Sequence, residues 1–233
     1  MWYNISMRKV IIIYGMPGSG KGTQANLLAD KFGMYHFDTG KYLEQIVHNP
    51  DNKNNKKIQK HRKDFDNGIL LSPPWVLKIV RENAIKLANA GFGIVFSGSP
   101  RTVFEAFGDK NYESLIKTLE KKYNKKNIIF LYLKVSPETS IKRNVARRVC
   151  RTCGSVIISK ISKSSLCPVC MSKLEKRTLD KPSVIKVRHK EYMERTAPIL
   201  EGLKKMGYKI IEINGEPAPA EVFKSIVKKL GIK

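Results

Sequence analysis

The most informative chemical pattern in the chain is a run of small residues from Gly15 to Thr23, Gly-Met-Pro-Gly-Ser-Gly-Lys-Gly-Thr. Small residues let backbone N–H groups close around phosphate oxygens, and a helix that follows turns its positive end toward them. Lys21 would supply a mobile positive charge to the β- and γ-phosphates. Gly22 stands where the general motif has Ser or Thr, and Thr23 comes one position late. The pattern predicts a nucleotide phosphate-binding loop, with a plain glycine turn as the alternative.

The cysteines form a second pattern, two Cys-x-x-Cys pairs with 13 residues between them: Cys150, Cys153, Cys167 and Cys170. Four thiolates around Zn²⁺ make a closed tetrahedron, so the predicted role of the metal is structural. A segment of about 35 residues is too short for a large apolar core, and metal ligation would supply its stability. Two disulfides or free thiols are the alternatives. A secreted disulfide framework is not indicated, because it would spread its cysteines along the chain.

Alternating apolar runs predict the scaffold that must position these groups. Strands are expected at Arg8–Tyr14, Tyr35–Phe37, Gly93–Ser97, Asn127–Val135 and Tyr208–Ile213. Helices are expected after the glycine loop, over Pro74–Ala90, from Ser136, over Pro182–Met206 and over Ala220–Leu230. Strands that alternate with helices indicate the α/β class, with a doubly wound, parallel five-stranded sheet.

Two segments interrupt this alternation. Asn49–Lys63 is crowded with Asn and Lys and predicts a loop or a short polar helix, a solvated surface insert in its plainest interpretation. Arg147–Lys181 holds the cysteines and nine Lys or Arg against two acids, and it predicts neither a strand nor a long helix. We expect both segments to leave the carboxyl edge of the sheet, where α/β proteins bind ligands.

Charge sets this chain apart from an ordinary globular protein of 233 residues. Its 44 Lys and Arg against 20 Asp and Glu leave a formal charge of +24 and a pI near 9.9. Such a field attracts nucleic acid, anionic membranes or phosphorylated small molecules. Plentiful apolar runs argue against disorder, and none approaches the ~20 residues that cross a bilayer. Because residues 1–8 also lack the apolar stretch of a secretory signal, we expect a soluble, cytoplasmic protein.

The glycine loop, with Gly22 before Thr23, resembles that of the adenylate kinase family of nucleoside monophosphate kinases. Further segments match in the family's order over nearly the whole chain. They are Asp38-Thr39-Gly40, Gly68-Ile69-Leu70-Leu71, Gly98-Ser99-Pro100-Arg101-Thr102, Arg143 with Arg147 and Arg148, Arg177 with Arg188, Thr196-Ala197-Pro198, and Asn214-Gly215.

This resemblance implies a P-loop core domain (1–38, 69–146 and 182–233), an inserted monophosphate-binding lobe (39–68) and an inserted zinc-binding lid (147–181). The implied reaction is reversible transfer of the ATP γ-phosphoryl group to AMP, giving two ADP, with Mg²⁺ accompanying ATP and structural Zn²⁺ in the lid. Phosphoryl transfer asks a protein mainly for positioning and charge stabilisation, and the planar, permanently charged guanidinium supplies both.

The same resemblance assigns roles to individual residues. The catalytic set would be Lys21, Arg101, Arg147, Arg177 and Arg188. ATP would bind at Gly18, Ser19, Gly20, Lys21, Gly22, Thr23, Arg143, Arg147, Val156 and Ile157. The monophosphate would bind at Thr39, Ile69, Leu70, Leu71, Gly98, Arg101, Glu105, Arg177 and Arg188. The metal ligands would be Cys150, Cys153, Cys167 and Cys170.

The chain departs from the family pattern at several of these places. Ser97 and Lys41 stand where the family usually has Asp, and Ser99 stands where it has Phe. Glu44 replaces an Arg that helps to bind AMP, and Glu105 replaces the Gln that reads adenine. The loss of both Asp residues is expected to weaken Mg²⁺ positioning without abolishing it, since the phosphates hold the ion directly. We expect Lys41 to lie near the phosphates, with a solvated surface lysine as the alternative.

Two other functions stay open at this point. One is the same chemistry on a different nucleoside monophosphate, which the departures favour. The other is a basic zinc-ribbon protein that binds nucleic acid and keeps a residual nucleotide site. The family resemblance implies a monomer.

Overall fold

The strands form two separate sheets in the computed structural model, which describes residues 8–158 and 165–231. In chain order the strands are β1 (Val10–Tyr14), β2 (Tyr35–Phe37), β3 (Ile94–Phe96), β4 (Ile128–Lys134), β5 (Arg147–Cys150), β6 (Val156–Ile158), β7 (Leu174–Glu175) and β8 (Ile210–Asn214). The expectations that placed residues 1–7 and 232–233 in the core, and 159–164 in the lid, lie outside the described residues.

The helices are α1 (Lys21–Phe32), α2 (Thr39–Val47), α3 (Lys56–Asp66), α4 (Pro73–Asn89), α5 (Val103–Phe107), α6 (Leu115–Tyr123), α7 (Pro137–Ala146), α8 (Pro182–Glu191), α9 (Pro198–Lys205) and α10 (Pro219–Leu230). Side chains fix several of their starts: Ser136, for example, accepts a hydrogen bond from the backbone N–H of Thr139 at the start of α7. No helix of the described part of the chain is both long and apolar enough to cross a membrane.

The larger sheet is parallel throughout, with the strand order β2-β3-β1-β4-β8. β1 lies at its centre and is buried on both faces, so its sequence reads as a continuous apolar run rather than an alternating one. One face packs against α4, α6 and α9, and the other packs against α1 and α10. The predicted doubly wound, five-stranded fold is confirmed, and each of its strands lies within two residues of its predicted bounds.

The second sheet corrects one expectation. Residues 147–175 contain three short antiparallel strands in the order β6-β5-β7, whereas the sequence predicted neither strand nor long helix there. Strands of two to four residues are too short to show a period. The three strands are stabilised by hydrogen bonds to one another and by the turns at the two Cys-x-x-Cys pairs.

Two further expectations need adjustment. The single helix predicted over Pro182–Met206 is divided into α8, a π-helical turn at Tyr192–Thr196, and α9. Pro198 lacks an N–H group and cannot continue the ladder, so a new helix starts there. In Asn49–Lys63 a 3₁₀ turn precedes α3, whose only buried residue is Ile58, which agrees with the short polar helix.

Candidate functional site

The glycine loop joins the carboxyl end of β1 to α1 and depends on unusual backbone angles. Gly18 has φ +82°, and a Cβ there would lie 2.5 Å from Asn144 Nδ2 and 2.7 Å from the Ser140 carbonyl oxygen. Gly20, at the start of α1, has φ +95° with open space around it. Gly18 is therefore required both by its backbone conformation and by close packing, whereas Gly20 is required by its backbone conformation alone. The space around Gly20 and Gly22 is open, so an anion could approach the first N–H groups of α1.

Lys21 bends back over this loop. Its ammonium donates to the carbonyl oxygens of Gly15 (2.6 Å) and Met16 (2.9 Å). Burial lowers its pKa well below the usual value, and the nearby charges of Arg101, Arg188 and Arg147 lower it further. The Lys21 ammonium is thus bound by loop carbonyls but repelled by nearby arginines, and a bound polyanion would offset that repulsion.

Four arginines predicted to be catalytic surround the same space. Burial lowers the pKa of Arg188 to about 9, and the charges of Arg147, Arg101 and Arg177 add to the effect. Burial also lowers the pKa of Arg101, although Asp38 partly opposes this. Two buried guanidinium groups with lowered pKa values, next to two further arginines, form a strongly anion-attracting cluster.

Two carboxylates hold this cluster in place. Asp180, whose side chain is 2% exposed, accepts two hydrogen bonds from Arg147, one of them of 2.8 Å to Nε. The same carboxylate lies 3.8 Å from Arg188 Nη1. Glu44 pairs with Arg177 at 3.0 Å, with the two side chains 41% and 28% exposed. Asp180 is therefore a buried structural anchor, whereas Glu44 is a partly solvated partner.

A cleft of about 920 Å³, its open mouth included, contains Lys21, Arg101, Arg177 and Arg188. A neighbouring side pocket of about 370 Å³ adjoins it. The side pocket is lined by Thr39, Gly40, Leu43, Phe65, Ile69, Leu70, Leu71, Val76, Gly98, Arg101 and Glu105. Every residue predicted to bind the monophosphate lines one or both of these spaces.

The absence of side chains at Gly98 and Gly40 lets the Arg101 guanidinium lie close to the backbone there. A Cβ at Gly98 would lie 3.0 Å from Arg101 Nη2, and one at Gly40 would lie 3.5 Å from it. Thr196 also donates its hydroxyl to the Arg101 carbonyl oxygen at 2.7 Å. The loop after β3 and the first turn of α2 together fix the guanidinium between cleft and side pocket.

Most residues predicted to bind ATP lie outside the cleft lining, with Lys21 the exception among them. Arg143 donates to the carbonyl oxygens of Gly215 and Glu216, both at 2.8 Å, and so ties α7 to the turn after β8. Val156, on β6, is 49% exposed. The cleft and the side pocket are therefore lined by every residue predicted to bind the monophosphate, but only by Lys21 among those predicted to bind ATP.

The departures from the family pattern have identifiable partners. His36 donates from Nδ1 to Asn26 Oδ1 (2.5 Å), which leaves Nε2 to accept from the Ser97 hydroxyl (2.7 Å). Burial lowers the pKa of His36, consistent with this neutral form. Lys41 extends toward the cysteine turn, where its Nζ lies 3.5 Å from the position of a Cβ on Gly154. Its expected proximity to phosphates stays a prediction.

Sequence reasoning missed several residues that support the site. Asp180 had one available signal, as one of two acids in a segment rich in Lys and Arg. His189 and Ser140 had none: His189 Nε2 donates to Ser140 Oγ (2.8 Å), which donates to the Pro17 carbonyl oxygen. Glu191 accepts from the Leu70 N–H at 3.1 Å and pairs with Arg195. Apart from the Glu191–Arg195 pair, which is four positions apart, these contacts join distant segments, which local patterns do not reveal.

The four cysteines converge on one point. Their sulfur atoms all lie within 4.8 Å of one another, with Sγ–Sγ distances of 3.4 Å for Cys150 and Cys170 and 3.5 Å for Cys153 and Cys167. A tetrahedron with Zn–S bonds of about 2.3 Å has edges of about 3.8 Å. The cysteines are free rather than disulfide-bonded. The donor set and its dimensions fit a structural Zn²⁺.

Both Cys-x-x-Cys turns have the same construction. The N–H of Gly154 donates to the Cys150 carbonyl oxygen, and that of Met171 donates to the Cys167 carbonyl oxygen. Gly154 and Met171 both have positive φ, +74° and +58°. Hydrogen bonds with Ser155 lower the pKa of the Cys153 thiol to about 6, and Ser172 acts in the same direction on Cys170. These hydrogen bonds favour the thiolates that a metal requires.

Comparison with known proteins agrees with this geometry. The family model described as "Adenylate kinase" matches residues 13–208. The chain is 31% identical to an adenylate kinase of Caldicellulosiruptor saccharolyticus over 96% of this chain and 99% of the relative. It is 32% identical to one of Caldicellulosiruptor bescii over the same shares, and 33% identical to one of Clostridium botulinum over 95% and 98%. The chain therefore belongs to the adenylate kinase family.

Proposed function

We propose that this chain catalyses the reversible reaction of ATP and AMP to two ADP. The observation that carries the proposal is the meeting of Lys21, Arg101, Arg177 and Arg188 in one cleft beside the phosphate loop. Two nucleotides that exchange a phosphoryl group bring several negative charges together, and this cationic cleft would offset them. Membership of the adenylate kinase family supports the same reaction.

We assign different parts of the site to the two nucleotides. The glycine loop and Lys21 would hold the phosphates of ATP. Arg143, on α7, and Arg147, at the start of the lid, would also contact ATP. Arg101 would bind the phosphate of AMP, whose base would enter the side pocket. Arg177 and Arg188, which line the cleft, would stabilise the charge of the group in transfer.

The residues present fit the two metals of the family. Mg²⁺ prefers oxygen ligands and keeps several waters, and Asp38 and Ser97 both line the cleft near Lys21. Asp38 and Ser97 would orient waters on a Mg²⁺ that is held chiefly by the nucleotide phosphates. The ion would offset much of the negative charge of those phosphates. Zn²⁺ at the four cysteines would stabilise the small sheet and take no part in the transfer.

The lobes expected from the resemblance remain part of the proposal. Residues 39–68 would form the monophosphate-binding lobe, 147–181 the zinc-binding lid, and 1–38, 69–146 and 182–233 the core. Closure of the first two would exclude water and prevent hydrolysis of ATP. A cytoplasmic monomer is proposed, since the free thiols suit a reducing compartment and membership of the family supports a single chain.

A coupled assay with ATP and Mg²⁺ against AMP, GMP, CMP and UMP tests this proposal. We expect ADP from AMP, with kcat/KM reduced at least about 10²-fold in K21A. K31A is a matched control, because Lys31 lies in the last turn of the same helix, far from the loop. Absence of turnover with all four monophosphates would contradict the proposal, and strongly salt-dependent RNA binding would then favour the nucleic-acid alternative.

A further inference from the structure

The side pocket contains a buried carboxyl group that the proposed transfer does not use. Glu105 is 3% exposed and lies at the wall of the pocket, whose other lining residues include the apolar Leu43, Leu71 and Val76. Thr39 lines the same pocket, and its buried hydroxyl has no hydrogen-bond partner among the described residues. An apolar slot with few polar groups is typical of a site for a flat heterocycle.

The Glu105 carboxyl has a fixed orientation. Its Oε2 accepts from the backbone N–H of Arg101 at 2.9 Å, and its Oε1 accepts from the Thr102 hydroxyl at 3.0 Å. These contacts support the start of α5, which is the purely structural role of the residue. Each oxygen keeps further capacity, because a carboxyl oxygen has two lone pairs and a protonated carboxyl also carries one donor.

The protonation state of this carboxyl decides what it can bind. An ionised carboxylate offers acceptors only, which match the two adjacent donors, N1–H and the 2-amino group, of guanine. A neutral carboxyl offers one donor and one acceptor. That pair matches adenine, where N1 accepts and the 6-amino group donates.

We propose that Glu105 is a specificity-determining residue that reads adenine as a neutral acid, so that AMP binding is coupled to uptake of one proton at this carboxyl. The inference rests on the proposed function. It would make AMP affinity depend on pH at the base, in addition to any dependence at the phosphates.

The surroundings of Glu105 supply opposing influences on its charge. Burial raises its pKa, while the hydrogen bonds from Arg101 and Thr102 and the charges of Arg101 and Arg195 act against this rise. From β1, the Tyr14 phenol also interacts with it: burial raises the pKa of that tyrosine well above the usual value, and the charge of Glu105 adds to the rise. The net direction is upward, so less free energy is needed to protonate Glu105 than an exposed glutamate.

The test compares the wild type with E105Q, which supplies a donor and an acceptor at every pH. KM for AMP is measured at saturating ATP and Mg²⁺ from pH 6.5 to 9. Wild-type KM should rise about tenfold per pH unit above the pKa of Glu105, relative to E105Q. KM for ATP should show no such difference. E201Q serves as the control, because Glu201 is an exposed carboxylate paired with Lys204.

Titration calorimetry of AMP at pH 8 gives a readout independent of turnover. Measured in HEPES and in Tris, the wild type should take up about one proton more than E105Q. Equal pH profiles and equal proton uptake in the two proteins would overturn the inference while leaving AMP turnover intact. A wild-type preference for GMP over AMP would also overturn it, since the carboxylate would then act in its ionised form. Loss of all AMP turnover in the wild type would instead refute the proposed function.

Discussion

The ion pair between Glu44 and Arg177 sets up a competition that a single substitution can expose. Arg177 lines the cleft, but its Nη2 already lies 3.0 Å from Glu44 Oε2. An AMP phosphate that binds Arg177 must replace this carboxylate or share the guanidinium with it. Removing the charge in E44Q is therefore expected to strengthen AMP binding.

The size of the effect follows from exposure. Because the two side chains are 41% and 28% exposed, the pair falls in the range of surface ion pairs, about 0.2–1 kcal/mol. Released to the substrate, that free energy lowers KM for AMP by about 1.5- to 5-fold. The gain should shrink between about 0.05 M and 0.5 M salt, since screening weakens exposed charges. KM for ATP and kcat should change little.

The assay is steady-state turnover with AMP varied at saturating ATP and Mg²⁺. E201Q is the matched control, because Glu201 pairs with Lys204 at 2.9 Å and does not line the cleft. An unchanged or increased KM for AMP in E44Q would refute the reasoning. So would an equal decrease in E201Q.

Two other predictions concern the metal site and the arginine cluster. Metal analysis should find about one zinc per chain. Removal of the metal by a chelator, or the C153S substitution, should make residues 147–175 sensitive to protease while the parallel sheet stays folded. Full protease resistance after metal loss would contradict a structural zinc. For R188Q, kcat/KM should fall about 10²-fold or more, while the free energy of unfolding at pH 7 should be unchanged or higher than in the wild type. The reason is that a cation whose pKa falls to about 9 costs stability while it stays charged. Urea unfolding at several pH values should show any R188Q advantage shrinking above pH 9, and a constant difference would count against the depressed pKa.

The sequence was sufficient to predict the parallel sheet because buried parallel strands have continuous apolar sequences, as in Val10–Tyr14. It was also sufficient for the cysteine cluster, whose spacing is itself local. It failed for the division of the helix after Pro182 and for the strands of residues 147–175, where pairing rather than composition decides the structure. Composition marks Asp180 as one of two acids in its segment, but it could not reveal the contacts of Asp180 with Arg147 and Arg188, because contacts across 33 and 8 positions leave no period to detect.

The small antiparallel sheet has a topological consequence. The chain enters it on β5 and leaves it on β7, and these strands are hydrogen-bonded neighbours, with Val149 opposite Glu175. The ends of the insert that connects them are therefore already together, so its length and internal fastening can change at little entropic cost to the rest of the molecule. Evolution can therefore exchange the four cysteines for another means of closure, or shorten the insert, without moving a strand of the parallel sheet.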